Sequence, residues 1–289
     1  MQSALKIVIL QIDYAQERRD RSVKIKQVLE ALERFAPLPL QESWDNAGLQ
    51  IGLTEAEVSG ALLCLDVTEA IIAEAIQKGC NMVVSHHPLL FRGLKQVSDA
   101  SDVQRIVRQA IKNDICVISM HTNLDNARGG VNYKIAQRLA YTTNDKAQEA
   151  EGLVEYMGDE KHPGQWVMLT LPHPMVACDF VLHVKQRLNA ESAMCNEMLR
   201  RPVSRVAICG GAGDFLLDEA IAHGADAFLT GEMHYHQYFG HEQQIQICVV
   251  GHYESEHFTK ELLRDIICAE CPDVHCEIAE TNTNPILYL

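Results

Sequence analysis

The stretch NMVVSHHPLLF, Asn81 to Phe91, ends an apolar run in two adjacent histidines followed by Pro88. Neighbouring side chains on a strand point to opposite faces. His86 and His87 can therefore share a task only where the strand has ended and the chain turns, and Pro88 marks such an end. Two more histidines stand after apolar runs, each with a carboxylate four residues on: His121 with Asp125 in ICVISMHTNLD, and His252 with Glu256 in IQICVVGHYESE. Residues four apart on a helical turn share a face, so the imidazole and carboxylate of each pair can reach one cation. Four imidazoles and two carboxylates suit two divalent ions rather than one, and Zn, Mn and Fe all accept such donors. Two ions about 3.5–4 Å apart form the arrangement that activates a water and clamps an oxyanion in hydrolysis.

Each pair taken singly is more often a surface or capping pair than a ligand pair, and thirteen histidines leave room for accident. The shared position decides for metal: all six candidates fall just past the ends of expected strands. In open α/β sheets, functional groups gather beyond the carboxyl ends of parallel strands. A fourth such end, Thr230-Gly231-Glu232, leads into MHYH, which makes Glu232 and His236 candidates for a proton-transfer role in the same cleft. His234 and His241 can line that cleft, whereas His162, His173 and His183 read as surface or boundary residues.

The elements that must position these donors alternate strand and helix. ALLCLDV (61–67) reads as a strand, TEAIIAEAIQK as a helix stopped by Gly79, NMVVS as a strand, 102–113 as a helix, ICVISM as a strand, and Gly130 onward as a helix. The order βαβα implies α/β layers with mainly parallel strands. The pattern then repeats. EAIQKGCNMVVSH (74–86) aligns without gaps on EAIAHGADAFLTG (219–231), RVAICGG (205–211) stands where ALLCLDV stood, and the two His-x3-acid stretches correspond. The expected fold is α/β, with two similar α/β domains, mainly parallel mixed sheets, and the metal site in the cleft between them. Residues 1–22 read as an N-terminal extension, 23–145 as the first half, 146–203 as additional α/β structure of the second half, and 204–289 as the second half itself. Ser22 is the expected N-cap of a first helix with Ile25, Val28, Leu29 and Leu32 on its apolar face.

Composition narrows the function classes. Against 39 acidic residues stand 25 basic ones, a net charge of −14, and no basic run interleaves with aromatics, which disfavours a nucleic-acid surface. An anionic substrate stays compatible, because bound cations supply local positive charge. No run approaches the length of a membrane span, and the short apolar run Ile7 to Ile12 lacks the flanks of a signal peptide. Ten cysteines scattered through apolar segments read as reduced core residues, and the expected location is cytoplasmic. CAECPDVHC, with Cys268, Cys271, His275 and Cys276, has only half of a zinc-ribbon pattern. The run GGAGD (210–214) lacks the spacing of a Rossmann fingerprint and the Lys-Ser/Thr of a P-loop; it reads as a tight strand-to-helix turn with Asp214 as N-cap.

WDNAGLQIG (44–52), SHHPLLF (85–91), HTNLDNARGGVN (121–132), CGGAGD (209–214), ADAFLTGE (225–232) and VGHYESE (250–256), in this order, resemble the GTP cyclohydrolase I type 2 family, also called NIF-three-like. The resemblance runs from about residue 23 to the end. It implies a dinuclear metal site between two similar α/β domains, with His86, His87, His121, Asp125, His252 and Glu256 as ligands. It also implies a toroidal homohexamer and a metal-dependent hydrolase acting on a small nucleotide-like or anionic substrate, the family name pointing to opening of the GTP imidazole ring. Some members carry a long domain inserted between the halves; here the insertion is shorter. The alternatives from other classes are a non-catalytic metal-binding protein and a protein-interaction factor.

Overall fold

The computed structural model describes residues 22–140 and 153–289. The extension before Ser22 lies outside the described residues, as does the start of the segment expected to add α/β structure. The first helix, α1 (Ile25–Phe35), turns Val28, Ala31 and Leu32 inward. Ser22 does not cap it: its hydroxyl binds Glu57 (2.9 Å), and the helix starts after Lys24, whose backbone N–H donates to the Gln27 side chain (2.7 Å). A capping side chain must sit next to the first turn, and Ser22 is two residues too early.

The chain then forms β1 (Gly48–Ile51), β2 (Ala61–Cys64), α2 (Glu69–Gln77), β3 (Met82–Ser85), α3 (Asp102–Lys112) and β4 (Cys116–Ser119). Thr68 caps α2 by accepting from Ile71 N–H, and Ser101 caps α3 by accepting from Gln104 N–H. After β4 come the single turn α4 (Thr122–Asp125), α5 (Val131–Ala140), β5 (Val154–Tyr156), β6 (Val167–Met175), α6 (Ala177–Arg187), β7 (Met194–Cys195) and β8 (Val203–Cys209). Last are α7 (Leu217–Ala222), β9 (Ala227–Thr230), β10 (Gln246–Val249), the single turn α8 (His252–Glu256), α9 (Thr259–Glu270) and β11 (Cys276–Ile278).

Two mixed sheets result. The first has the order β1-β4-β3-β2-β11, with β1 antiparallel and the others parallel; the second has the order β5-β6-β8-β9-β10-β7, with a parallel centre and antiparallel margins. The repeat is visible in register: β2-β3-β4 end on Cys64, Ser85 and Ser119 as β8-β9-β10 end on Cys209, Thr230 and Val249. Gly79 and Gly224, the matched glycines, both adopt positive φ (+70° and +73°) after their helices, the left-handed stop that favours glycine. The chain does not stay with the second sheet to its end, because β11 pairs in parallel with β2 of the first.

Both faces of each sheet are covered, so alternate strand residues serve different cores. Ala61, Leu63, Val84 and Ile118 of the first sheet share one central core with Val206, Ile208 and Leu229 of the second, joined through α1, α5, α6 and α9. Leu62, Val83 and Val117 face outward onto α2 and α3. Ala207, Phe228 and Ile247 face outward onto α7. The carboxyl ends of both parallel strand sets are thereby held by buried layers.

Candidate metal centre

His86 and His87 leave the end of β3 pinned by the backbone. His86 N–H donates to Cys64 O (3.3 Å) and His87 N–H to Leu65 O (3.0 Å), while the Ser85 and Ser119 hydroxyls donate to the carbonyls of His87 and His86 (2.8 and 2.6 Å). The two rings lie 4.9 Å apart at 48°, so the turn after the strand does bring both to one place. His121 immediately precedes α4 and Asp125 ends it; His252 and Glu256 are the first and last residues of α8. Each His-x3-acid pair is thus one helical turn set on a strand end.

All six converge, four from the first half and two from the second. Donor atoms within 4.8 Å of one another form three overlapping triads: His86, His87 and His121; His87, His252 and Glu256; His86, Asp125 and Glu256. These are the only such groups of His, Cys, Asp or Glu among the described residues. Glu256 Oε2 lies 3.0 Å from His252 Nε2, 3.1 Å from His87 Nε2 and 3.8 Å from His86 Nε2. Gly211, at φ +58°, makes room for it: a Cβ there would stand 2.3 Å from Glu256 Oε1. The glycine-rich run is a turn, as expected, but Asp214 does not cap a helix. It opens a short 3-10 turn (Asp214–Leu216), and its carboxylate accepts from His234.

Every imidazole in the cluster is held from outside by Nδ1. His86 Nδ1 donates to Met120 O (2.8 Å), His87 to Asp66 (2.7 Å), His121 to Asp45 (2.7 Å) and His252 to Glu232 (2.8 Å). A carbonyl or carboxylate oxygen can only accept, so each Nδ1 carries a proton and each Nε2 faces inward, where it can give its lone pair to a cation that displaces any proton held there. This is the pattern by which metal-ligating histidines are oriented. The fit is sharpest at His86. Its Nε2 is buried and has no hydrogen-bond partner, facing only Asp125 and Glu256 at 3.6 and 3.8 Å. A buried nitrogen left so costs free energy unless a cation or proton fills the gap.

The electrostatics ask for positive charge. Burial disfavours the charged form of His87, yet its bonds to Asp66 and Glu256 raise its pKa to about 10. Burial opposes charge on His252 too, and its bond to Glu256 raises it to about 9. Burial would raise Glu256, but the surrounding His252, His86 and His87 hold it well below the usual carboxylate range. Asp125 is pushed up to about 7, chiefly by burial, with the charge of Glu256 adding to the effect that His86 opposes. Without a cation the cluster holds protons in its place, which is what a site built for divalent ions does when metal and proton compete.

Glu232 therefore sits beside the cluster as the acceptor for His252. His236 is not brought there: it is exposed, and its ring packs against Tyr235 and Phe239. Asp66 and Asp45 are the functional positions that the sequence reading missed. Asp66 follows β2, whose carboxyl end lies beside those of β3 and β4 in the same parallel set, and the strand-end rule would have found it. Asp45 lies inside WDNAGLQIG, far from any strand end it serves. Two cavities flank the centre and share His252 and Ala212. One, of about 560 Å³, is walled by Trp44, Phe91, His121, Phe215 and Glu256. The other, of about 630 Å³, is bordered by Glu232, His234, Ile286 and Tyr288.

A Clostridium acetobutylicum protein named GTP cyclohydrolase 1 type 2 homolog is 31% identical over 243 residues, covering 81% of this chain and 86% of that protein. A Staphylococcus aureus protein of the same name is 27% identical over an aligned span of 368 residues, longer than this chain, so it carries sequence that this chain lacks. The crystal structure of the Staphylococcus aureus hypothetical protein SA1388 superposes with a TM-score of 0.80 at 29% identity, covering 93% of this chain and all of that one. The family model described as Duf34/NIF3 (NGG1p interacting factor 3) matches residues 23–285, and the chain belongs to that family.

Proposed function

We propose that this protein is a dinuclear, divalent-metal-dependent hydrolase, similar to GTP cyclohydrolase I type 2, acting on a small nucleotide-like or anionic substrate. The observation that carries the reading is the inward Nε2 of four histidines, each fixed by an outer acceptor, around two carboxylates. His86, His87, His121, Asp125, His252 and Glu256 would hold two ions of Zn, Mn or Fe. When bound, such ions supply a water of lowered pKa and a clamp for a developing oxyanion. Glu256, like His86 and His87, belongs to two of the three triads. Asp66, Asp45 and Glu232 keep their imidazoles in the donor tautomer. Glu232, which also borders the second cavity, is the residue we retain for proton transfer there. The exposed ring of His236 offers no geometry for that role.

The family resemblance supports a ring-shaped homo-oligomer, a hexamer, and ten free cysteines support a cytoplasmic setting. Among the described residues no helix is long and apolar enough to cross a membrane. The test is elemental analysis of protein purified without chelator or metal-affinity tag. About two ions per wild-type chain and a clear loss in Glu256→Ala are expected. Hydrolysis is then assayed on guanine nucleotides, starting with GTP. Metal without turnover on any nucleotide or phosphoester would leave a non-catalytic metal-binding protein. No metal in either protein, and no uptake of added Zn or Mn, would reject the centre.

A further inference from the structure

Large apolar side chains left in solvent cost free energy unless something covers them. Three aromatic rings at this molecule's cleft are in that position: Trp44 is 58% exposed, Phe91 45% and Phe215 60%. All three line the cavity of about 560 Å³ that also holds His121, His252 and Glu256, a volume in the range of small-molecule sites. They are not scattered. Trp44 and Phe91 meet at 5.8 Å, and each packs edge-on against the ring of His121 (6.1 and 6.4 Å). Phe215 comes from the second half, on the turn after β8, and makes no ring contact among the described residues. The Trp44 loop is fixed to the donor cluster itself, because the neighbouring Asp45 accepts from His121 Nδ1 and from Thr122 N–H (3.0 Å). Asn46 Nδ2 donates to Leu90 O (2.7 Å), which ties the loop of Phe91 to it.

The polar lining is equally selective. Gln165 lines the cavity, and its side-chain amide has no partner among the described residues, so a donor and an acceptor are free to read a ring edge. Glu42, Asp125 and Glu256 are the carboxylates of the wall, and among the described residues no Lys or Arg lines either cavity, whose basic side chains are histidines alone. A polyphosphate would find no cation here beyond those the donors hold.

We infer that Trp44 and Phe91 on one side and Phe215 on the other form a clamp for a planar heteroaromatic ring bearing at most one anionic group. The clamp would present the ring to the cluster of His121, His252 and Glu256. The inference rests on the proposed metal centre only for what the ring faces. Loss of one aromatic ring stacked on a base weakens binding by roughly one to two orders of magnitude, enough to set affinity in a site without Lys or Arg.

The chain has two tryptophans, and Trp166 is buried at 3% exposure, so ligand-dependent quenching of emission reports Trp44. Metal-loaded and chelator-treated protein would be titrated with guanosine, GMP, GTP and ring-free ribose 5-phosphate. Saturable quenching by guanosine and GMP is expected, with GTP at least tenfold weaker than GMP and no response to ribose 5-phosphate. Phe215→Ala should weaken GMP binding about tenfold or more. Trp44→Phe should abolish the quenching and retain binding by equilibrium dialysis. Tightest binding by GTP, an unaltered affinity in Phe215→Ala, or no quenching by any ring would overturn the clamp. So would a concentration-dependent change in Trp44 emission without ligand, which would assign the rings to contact with a second copy. Quenching without turnover would reject the hydrolase reading and leave the clamp. Turnover of ring-free phosphoesters without quenching would do the reverse.

Discussion

Asp66 and Asp45 show how much of a metal site is decided outside its ligands. Burial would raise both carboxyls, but the bonds from His87 and His121 lower them, Asp45 to about 2. Each stays an acceptor and fixes one imidazole. Removal of such a partner typically lowers metal affinity about 10–100-fold. We expect that loss in Asp66→Asn and Asp45→Asn, read by chelator competition, with full loading recovered at high metal. Gly211→Ala should act more severely, because its new methyl would meet Glu256 directly; loss of bound ions at saturating metal is the readout. His87→Ala and Glu256→Ala should also lose metal yet stay folded, since neither belongs to the apolar cores. Leu63→Ala, fully buried in the central core, should instead cost about 2–5 kcal/mol in urea unfolding with the donors intact. The six donors were legible because each is a chemically distinctive residue at a strand end. Met120 was not, because it contributes a backbone oxygen, and a carbonyl has no signature in a sequence.

At the scale of the element, periodicity found the strands and helices that bury apolar faces, and local capping was harder to read. Thr68 and Ser101 cap as their positions suggest, but Ser22 and Asp214 were drawn to tertiary partners, Glu57 and His234. Such partners lie 35 and 20 residues away in sequence. His183 on α6 is a boundary residue, as expected: it is half-buried, and its Nε2–H finds a tertiary partner too, donating to Leu139 O at the end of α5 (2.8 Å). Burial, helped by the charge of Arg187 and opposed by that hydrogen bond, lowers its pKa. The native imidazole is thus neutral where the unfolded one, near pKa 6.5, begins to charge. A depressed native pKa gives stability that is present above the unfolded value and is lost as pH falls through it. His183→Gln should therefore gain urea stability relative to metal-free wild type as pH falls from about 7.5 to 5.5, on top of the opposite trend that the raised His87, His252 and Asp125 give both proteins.

At the scale of the molecule, the repeat foretold two related sheets, but not how the chain closes them together. A three-residue strand such as β11 carries no pattern of its own, and its pairing with β2 spans more than two hundred residues. The segment after it continues the same tie. Thr281 Oγ1 donates to Glu74 (2.6 Å) and Thr283 Oγ1 to Asp66 (2.7 Å), the carboxylate that also holds His87. Asn284 Nδ2 and the Tyr288 hydroxyl then donate to the two oxygens of Glu254 (2.9 and 3.3 Å), within the α8 turn that carries His252 and Glu256. One segment thus touches the outer support of a ligand from the first half and the helical turn of two ligands from the second. The distance between the halves sets the distance between their donors, so this segment should affect metal binding without touching a donor. Removing residues after Ala279 keeps β11 and every core layer. We expect the truncated protein to fold with the wild-type circular dichroism spectrum and to bind metal about tenfold more weakly. Thr283→Val, which silences only the hydroxyl on Asp66, should reproduce part of that loss. If both variants bind metal as the wild type does, the cores alone hold the halves in register, and the terminal segment is a passenger on a cleft that the buried layers already fix.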